Sequence, residues 1–376
     1  MEFSLPQTLR DIQQVSREFA QDVLRPRAGE RDQTEEFPLE EARMLAQRKL
    51  MGVAIEPRYG GLGLGKLGYA VALREIAAEC ASTAVTMAVT NMVADMLQAF
   101  GTDEQKERFL PALFAHEHPI GSFCLSEPHS GTDAAALSTK AVRTEDSYRL
   151  TGTKMWVTSG AYCSLALIMA RTDEHQKGRG ITAFLVDPQC DGYEVGKAED
   201  KMGLRGSNTV AVSLDECVVP TTCVLAGEGR GFAVAMTALD GGRIGIGAQA
   251  LGIARSAVDA AARVLNRRGH PSQAVQMDLA DAVTAIESGW LMVLRAAYLH
   301  EKGGRMTREA AMAKVYATES AYKAVELSHR IVGGTGTEEE QAIERNLRDV
   351  RITRIYEGTS EIQRFVIARE LLKGMV

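Results

Sequence analysis

The chain has 376 residues, of which 45% are hydrophobic and 24% charged, and its formal net charge is −6. A chain of this length predicts two or three packed units instead of one core. The acidic balance argues against a nucleic-acid-binding surface, which is normally basic. No apolar run reaches the roughly 18 residues that a membrane span requires, so we expect no transmembrane segment.

The cysteines and the N-terminus indicate the compartment. No two cysteines have C-x-x-C spacing, and no histidine lies at metal-ligand spacing from them, which predicts a reducing environment and no metal site. The first residues lead directly into a charged amphipathic helix, so the sequence predicts no signal peptide. We therefore expect a cytoplasmic protein. The six cysteines are Cys80, Cys124, Cys163, Cys190, Cys217 and Cys223.

The first third of the chain has the apolar spacing of helices. Apolar residues recur at three- and four-residue intervals, and a glycine-rich break at 57–63 separates two of the segments. The pattern predicts an N-terminal helical domain at residues 1–118. Its predicted helices cover residues 9–24, 39–50, 69–80, 85–100 and 105–114.

The pattern changes near Ile120 to short β-type runs, which are separated by turn residues such as those at 178–180 and 187–188. The predicted strands cover residues 120–125, 137–142, 148–151, 154–157, 165–170, 181–186 and 209–214. Six or seven strands within about 100 residues are typical of a small barrel or sandwich. The sequence therefore predicts a middle antiparallel β domain at residues 119–226.

Longer helices follow in the last third, at residues 231–268, 274–300, 308–332 and 359–372. Four long helices with short connections predict an antiparallel C-terminal four-helix bundle at residues 227–376. The predicted fold is thus α+β and multi-domain, in the order α, β, α. The sequence shows neither an internal repeat nor a low-complexity linker.

Glu357 is the first candidate for a catalytic group. It lies between Tyr356 and Gly358, just before Ser360, which with Gln363 has the spacing of a capping box at a helix start. A carboxylate on a short loop between apolar residues loses hydration, so its pKa rises and it can act as a general base near neutral pH. From these residues alone, a solvated loop glutamate beside a helix cap is an open alternative.

Three glycine clusters, at 227–231, 241–245 and 333–336, could suggest a nucleotide-binding loop. None follows a strand and opens a helix inside a βαβ unit, and none ends in Gly-Lys-Ser/Thr. We therefore expect helix boundaries or close backbone approaches at these glycines instead of a Rossmann or P-loop site.

Three further segments could contact a ligand, although each also has a purely structural interpretation. The loop at 123–133 is rich in hydroxyls and glycine and could offer N–H groups to a polar ligand, or it is a plain β-turn. Trp156 and Thr158, two residues apart on a strand, could hold a flat aromatic ring, or Trp156 belongs to the core. Asp240 and Arg243 have the i, i+3 spacing of a local ion pair, which is usually solvated.

Taken in order, five segments resemble the acyl-CoA dehydrogenase family. They are LSEPHSGTD at 125–133, KMWVTSG at 154–160, KMGLRGSNT at 201–209, LDGGRIGIGAQALGIA at 239–254 and RNLRDVRITRIYEGTSEIQRFVIARELL at 345–372. The resemblance covers the whole chain. It implies a helical N-terminal domain, a β middle domain and a C-terminal four-helix bundle, the same order that periodicity predicts.

The resemblance implies FAD as cofactor and an acyl-CoA thioester as substrate. It places Trp156 on the isoalloxazine ring, Thr158 near flavin N5, and Gly333 and Gly334 on the FAD of a neighbouring subunit. The implied FAD contacts are Phe123, Leu125, Ser126, Gly131, Thr132, Trp156, Val157, Thr158, Arg330, Gly333, Gly334, Thr359 and Glu361. The implied substrate contacts are Thr132, Asp240, Arg243, Tyr356 and Gly358.

The resemblance also implies a mechanism. Glu357 matches the base position of most members, and the position at which a minority carry the base is Gly242, which cannot act as one. Glu357 would remove the α-proton while the β-hydrogen leaves as hydride to flavin N5. Hydrogen bonds from the Glu357 N–H and a ribityl hydroxyl would stabilise the enolate. The product would be a trans-2-enoyl-CoA.

The segment at 80–87 and the GRIGIGAQALGIA stretch resemble short-chain members most, which favours short or branched short acyl groups. The family also implies a homotetramer and an electron-transferring flavoprotein as electron acceptor. Two alternatives stay open: an acyl group on a carrier protein, and a flavin-poor noncatalytic partner subunit.

The chain departs from the family pattern at two places. The segment at 264–273 is about half a dozen residues shorter than usual and lacks the Arg-x-x-Phe-Gly sequence whose arginine reaches FAD across the dimer. Arg330 stands where a glutamine is usual. A guanidinium can pair with phosphate oxygens in a bidentate way. We therefore expect Arg330 to bind FAD in place of the missing arginine, with a surface arginine favoured by the helix C-terminus as the alternative.

Overall fold

Six helices form the N-terminal part of the computed structural model, which describes residues 4–269 and 271–373. A single π-helical turn joins α1 to α2. Helix α5 is buried from Ala81 to Leu97, so it is apolar on nearly every side, as expected for a helix enclosed by other elements. The helices are α1 (Gln7–Phe19), α2 (Arg25–Thr34), α3 (Leu39–Gln47), α4 (Gly65–Glu79), α5 (Ala81–Phe100) and α6 (Asp103–Ala115).

Eight strands form one sheet in the middle of the chain. Along its hydrogen-bonded path the order is β6-β7-β3-β2-β4-β5-β8, and β1 pairs with β4. The path is open, with β6 and β8 at its two ends. The strands are β1 (Gly121–Cys124), β2 (Lys140–Arg143), β3 (Ser147–Thr158), β4 (Leu165–Arg171), β5 (Ile181–Val186), β6 (Tyr193–Ala198), β7 (Thr209–Pro220) and β8 (Val224–Leu225).

The sheet differs from the sequence prediction in three respects. It is mixed, because β1 and β2 both run parallel to β4. The two strands predicted at 148–151 and 154–157 are one strand, β3. Its pairing with β7 shifts register between Leu150 and Gly152, where β7 has the extra residue, and again between Lys154 and Val157, where β3 bulges. Strands β6 and β8 were not predicted, since β6 is exposed at five of its six residues and β8 has only two.

Five helices complete the chain: α7 (Gly231–Arg268), α8 (Gln273–Glu301), α9 (Thr307–Val332), α10 (Glu338–Ile352) and α11 (Ser360–Lys373). The sequence predicted only four, because α10 begins with three glutamates and buries two polar residues, Asn346 and Asp349, together with Ile343 and Val350. Its apolar stripe is therefore too narrow for a helical period to be seen. No helix within 4–269 and 271–373 is long and apolar enough to cross a membrane.

The KMGLRGSNT segment joins the sheet to the last helices. A side chain at Gly203 would meet the backbone carbonyl of Arg348 at 2.3 Å, so only glycine allows this approach to α10. The adjacent Leu204 N–H donates to Asp349 at 2.6 Å. Burial raises the pKa of Asp349 to about 6. The predicted domain boundaries at 118/119 and 226/227 fall in the connections on either side of the sheet, and stay predictions.

Candidate active site

Glu357 lies in the tight connection between α10 and α11, in a left-handed backbone conformation. Its φ is 53°, and that of Gly358 is 93°. A non-glycine residue in this region costs about 1–2 kcal/mol, so other contacts must hold it there. The Lys314 ammonium donates to the Gly358 carbonyl at 2.8 Å, and the Gln363 amide donates to the carbonyls of Gly358 and Glu357 at 2.9 and 3.2 Å. The loop is therefore fixed from α9 and from α11.

The Glu357 carboxylate extends toward α7 and lies against Gly242. A β-carbon at Gly242 would be 2.0 Å from Glu357 Oε2 and 2.7 Å from the Met92 methyl group. Oε2 is buried and has no hydrogen-bond partner. A buried carboxylate oxygen without a partner is rare in proteins and has the free lone pairs that a proton acceptor needs.

Burial raises the pKa of Glu357 to about 7, and the positive charges of Lys314, Arg243 and Lys66 limit the rise. Burial in turn lowers the pKa of Lys314 to about 8, against the opposing attraction of Glu357. A base with a pKa near the working pH combines a useful unprotonated fraction with a strong affinity for protons. The electrostatics of the loop therefore suit general-base catalysis.

Two ion pairs lie beside this carboxylate. Arg243 pairs with Asp240 on the same turn of α7, and Asp240 also accepts a hydrogen bond of 2.7 Å from the Thr307 hydroxyl. The Arg243 Nε is buried and has no partner. Lys66 pairs with Asp95 in a buried contact that joins α4 to α5.

The other predicted residues of this loop have defined positions. The Tyr356 hydroxyl donates to Gln249 Oε1 at 2.6 Å, which ties the loop to the middle of α7. Thr359 caps α11, since its hydroxyl accepts from the Ile362 N–H at 3.4 Å. Glu361 is exposed on the first turn. The predicted Ser360 capping box is wrong: Ser360 is already helical and its hydroxyl donates to Glu319 at 2.6 Å.

A second group of predicted residues lies at the ends of β1 and β3. The Trp156 side chain is 60% exposed and its φ is 59°, within the bulge of β3 between Lys154 and Val157. The Ser122 hydroxyl donates to the Thr158 carbonyl at 2.7 Å, and the Met155 N–H donates to the Ser126 carbonyl at 2.9 Å. The structure thus brings the segment after β1 against the end of β3.

The loop that follows β1 is held by a buried ion pair. Glu127 accepts from the Lys154 ammonium at 2.7 Å and from the Ser138 and Thr139 N–H groups at 2.7 and 3.0 Å. Burial would raise the pKa of Glu127, but Lys154 and these hydrogen bonds outweigh it and hold the value at about 2. Glu127, the first of the two acidic residues of the SEPHSGTD segment, is therefore structural, and it fixes the loop that carries Gly131.

An aromatic cofactor fits this second group of residues. The space at Gly131 is open, since a β-carbon at this position would have no atom within 4 Å, and Thr132 is exposed. The Trp156 indole is a large apolar surface in contact with solvent, which a flat ring could cover. Phe123 is half-buried, whereas the Leu125 and Val157 side chains are buried, so these two can offer only backbone groups to a ligand.

Helix α5 lies between the two groups of residues. The Gly121 N–H donates to the Thr90 hydroxyl at 3.2 Å, and a side chain at Gly121 would meet Val93 at 3.0 Å. Met92, the residue before Val93 on α5, places its methyl group beside Gly242, the glycine against which the Glu357 carboxylate lies. The helix therefore connects the start of β1 with the candidate base.

The third predicted group is remote from Glu357 within one chain. Arg330, Gly333 and Gly334 are exposed at the end of α9. Lys314, which contacts the Glu357 loop, lies 16 residues before Arg330 on this helix. At 1.5 Å per residue the two are about 24 Å apart along the helix axis. In the glycine loop, the Glu340 carboxylate accepts from the N–H groups of Gly334 and Gly336 at 2.5 and 2.6 Å.

Sequence reasoning missed the charged residues that surround the candidate base. Lys314 is fully buried on a face of α9 that is built mostly from alanines, with Thr318 beside them. The alanines include Ala310, Ala313, Ala317 and Ala321. A lysine inside an alanine stripe at helical spacing is the signal that could have found it, because a buried lysine requires a specific acceptor. The pair of Lys66 and Asp95 is separated by 29 residues and left no such signal.

Comparisons with known proteins agree with the order of a helical, a β and a second helical domain. Three family models match: the acyl-CoA dehydrogenase N-terminal domain at residues 6–117, the middle domain at 122–217 and the C-terminal domain at 229–372. The bovine mitochondrial short-chain specific acyl-CoA dehydrogenase is 42% identical over 377 residues, which cover 98% of this chain and 91% of the relative.

Two solved structures have nearly the same fold. Butyryl-CoA dehydrogenase from Megasphaera elsdenii has a TM-score of 0.95 at 36% identity, with 99% of this chain and 100% of that chain covered. A structure described as the electron transferring flavoprotein of Acidaminococcus fermentans has a TM-score of 0.96 at 36% identity, with the same coverage. The chain therefore belongs to the acyl-CoA dehydrogenase family of FAD-dependent oxidoreductases.

Proposed function

We propose that the protein dehydrogenates a short or branched short-chain acyl-CoA to the trans-2-enoyl-CoA, with Glu357 as the base that removes the α-proton. One observation carries this proposal: the Glu357 carboxylate is held beside Gly242 with a buried, unpartnered oxygen. The pKa of about 7 leaves a large part of this group unprotonated at neutral pH. A flavin-poor, noncatalytic partner subunit would have no use for a buried carboxylate with a free oxygen at this position.

Each residue of the proposed site would have a separate role. Glu357 takes the proton, while Lys314 and Gln363 keep its loop in place. Arg243 and Lys66 stabilise the carboxylate form before the proton arrives. FAD, when bound, supplies the acceptor for the β-hydrogen as hydride. Asp240, Arg243, Tyr356, Gly358 and Thr132 are the proposed substrate contacts.

The proposed FAD site has two parts. The ends of β1 and β3 with Trp156 and Thr158 would hold the ring system, and the glycine loop after α9 would contact the FAD of a neighbouring subunit in a homotetramer. The exposed indole supports the first part. The separation of about 24 Å between Lys314 and Arg330 along α9 supports the second, since one chain alone does not bring the loop to its own base.

Relatives support the proposed substrate range and electron acceptor, and the cysteines support the proposed location. The bovine relative is described as short-chain specific and the Megasphaera protein as a butyryl-CoA dehydrogenase, which supports a four- or five-carbon acyl group. The description of the Acidaminococcus structure supports an electron-transferring flavoprotein as acceptor. Six free cysteines support a reducing compartment such as the cytoplasm.

The proposal is tested with a panel of saturated acyl-CoAs and an artificial electron acceptor, on the parent and on Glu357→Gln. We expect the highest kcat/KM at four or five carbons, because each methylene that fits contributes about 0.8 kcal/mol and each that does not fit costs binding. Glu357→Gln should retain FAD and lose about two to four orders of magnitude in turnover. An optimum at eight carbons or longer contradicts the substrate range, and near-normal turnover of Glu357→Gln contradicts the base.

A further inference from the structure

Two cysteines of the sheet are in direct contact. Cys190 lies in the turn between β5 and β6, Cys217 lies in β7, and their Sγ atoms are 2.7 Å apart. A disulfide bond measures about 2.05 Å, so the sulfurs need only a small movement to bond. The turn is built to hold this position, since the Asp187 carboxylate accepts the Gln189 N–H at 2.9 Å and the Asp187 carbonyl accepts the Cys190 N–H at 3.0 Å.

The contact depends on a bulge in β7. Leu214 pairs with Gly152 and Cys217 pairs with Leu150, so Asp215 and Glu216 together face a single residue of β3. Glu216 has a φ of 54°, and both bulge residues are exposed. The extra residue shifts the alternation of buried and exposed side chains along β7 by one position. Cys217 therefore points inward, where it is fully buried. The backbone of Gly192 then approaches β7, with its carbonyl accepting the Asp215 N–H at 2.9 Å.

The two thiols are chemically unequal. Cys190 is half-buried, whereas Cys217 is fully buried. A hydrogen bond from the Cys217 thiol lowers the pKa of Cys190, although burial and the carboxylates of Asp187 and Asp191 oppose this effect. The same contact and burial raise the pKa of Cys217. The pair therefore has the features of an attacking thiol beside a resolving thiol.

An oxidant can reach Cys190 through a cavity of about 440 Å³ between α6 and the sheet. Arg108 and His116 line the same space, and so do Cys163 and Cys223. Both of these cysteines are buried, and burial raises the pKa of each thiol. They share the cavity with Cys190 but lack its exposure, and the Cys163 sulfur contacts the Gly160 carbonyl and the Tyr193 hydroxyl instead of a thiol, so both cysteines serve as internal controls.

We propose that Cys190 and Cys217 form a reversible redox site, separate from the dehydrogenase site, that peroxide converts to a disulfide. The Cys190 thiolate attacks one oxygen of hydrogen peroxide, the O–O bond breaks, and a sulfenic acid forms with release of one water after protonation. The Cys217 sulfur then attacks the sulfenic sulfur, the S–S bond forms and a second water leaves. Two thiols lose two electrons and two protons in total, and a dithiol reductant reverses the reaction.

The crosslink would fasten the edge of the sheet without reaching the active site. It joins the turn before the edge strand β6 to β7. Cys217 lies seven residues along β7 from Val210, which pairs with Val157 beside Trp156, so the two ends are about 20 Å apart. We therefore expect the disulfide to raise the thermal midpoint of unfolding and to leave dehydrogenase turnover unchanged.

The test uses reduced, purified full-length protein exposed to hydrogen peroxide and digested with trypsin under non-reducing conditions. Trypsin places Cys190 on the peptide 180–197 and Cys217 on the peptide 206–230, which also contains Cys223. The parent should give a linked pair of these peptides, with a mass lower by two hydrogens. Cys223→Ser should give the same link, which assigns it to Cys217.

Single variants separate the two roles. Cys217→Ser should form no link, and its Cys190 should be trapped as a sulfenic acid by dimedone, while Cys190→Ser should react with neither reagent at this site. The peroxide-induced rise in the thermal midpoint should be present in the parent and in Cys223→Ser and absent from both single variants. The proposal is overturned if the parent keeps both thiols free under peroxide, or if Cys223 takes up the link.

Discussion

The Glu357 carboxylate occupies the space over Gly242 on α7. A β-carbon at position 242 would lie 2.0 Å from Glu357 Oε2, far inside van der Waals contact. The glycine is therefore what allows the Glu357 carboxylate, carried on the α10–α11 loop, to lie against α7. An acidic residue at 242 and one at 357 could not both be accommodated in this geometry, which gives a steric reason for a single base.

Gly242→Ala should move the carboxylate and reduce turnover by about a hundredfold, the effect expected of a displacement of about 1 Å at a reacting group. The helix itself should not weaken, because alanine is a better helix former than glycine by about 1 kcal/mol. Gly241→Ala is the matched control, since its β-carbon would meet only the end of the Lys66 side chain, at 3.3 Å. Steady-state kinetics measure the turnover of both variants, with the FAD content determined in parallel. Turnover of Gly242→Ala equal to that of the parent would show that a side chain at 242 does not displace the Glu357 carboxylate.

The pH profile should report the titration of Glu357. Because burial raises its pKa to about 7 and the base acts unprotonated, kcat/KM should rise with pH through about 7 and then level off. Lys66→Met removes a positive charge that favours the carboxylate, so the rise should move to higher pH. Tyr69, Arg243, Lys314 and Tyr356 are the other titratable groups that act on this carboxylate or respond to it, and Asp95 pairs with Lys66.

The double variant Lys66→Met/Asp95→Asn is the control for the pH profile. It removes the opposing carboxylate together with the ammonium, so its profile should lie between those of the parent and of Lys66→Met. A profile of Lys66→Met that is unchanged, or moved to lower pH, would show that Lys66 does not act on the base.

The sequence predicted the order of the elements more fully than the path of the sheet. Alternation and helical spacing are local properties, so α7, β4 and β5 were found nearly at their observed bounds. The bulge at Trp156 and the parallel pairing of β1 with β4 depend on neighbours distant in sequence. No local pattern contains that information.

For the candidate site, too, local features could be predicted from the sequence and long-range contacts could not. The residue types of the Glu357 loop predicted a buried carboxylate near a helix start, and that is where it lies. The contacts that fix the loop could not be predicted, since Lys314 is 44 residues away from the carbonyl it binds. Gln363 was expected to cap the helix and instead binds the loop carbonyls, because Thr359 already caps α11.

Glu75 should make a large contribution to stability because it joins three helices. It accepts hydrogen bonds from Arg17 on α1 and from Arg255 on α7, and its own side chain is 1% exposed. Glu75→Gln should lower the free energy of unfolding by about 3 kcal/mol, the lower end for breaking a buried ion pair, since both arginines can reach water. Urea denaturation measures this value. Glu36→Gln, which removes an exposed ion pair with Arg27, should cost at most about 1 kcal/mol.

The contribution of Glu75 should also depend on pH. Burial would raise its pKa, but the hydrogen bonds from Arg255 and Arg17 outweigh burial and hold it at about 2, below the ordinary value of 4.5. A lowered carboxylate pKa stabilises the fold above pH 4.5, and this stability is lost as the pH falls toward 2. The difference in stability between the parent and Glu75→Gln should therefore shrink over that range, and a constant difference would contradict the assignment.

Arg330 should be needed for FAD retention if it binds the cofactor in place of the arginine that the short α7–α8 connection lacks. Helix α7 ends at Arg268 and α8 begins at Gln273, which leaves only four residues between them. Arg330 is exposed, three residues before the glycine loop. A charge-assisted hydrogen bond contributes about 1.5–3 kcal/mol, so Arg330→Gln should weaken FAD binding roughly tenfold or more. Titration of FAD into the apoprotein measures this affinity.

Lys323→Gln is the control for this prediction. It removes an exposed charge two turns earlier on α9 and should bind FAD like the parent. Equal affinity in Arg330→Gln and Lys323→Gln would leave Arg330 as a surface residue favoured by the helix C-terminus.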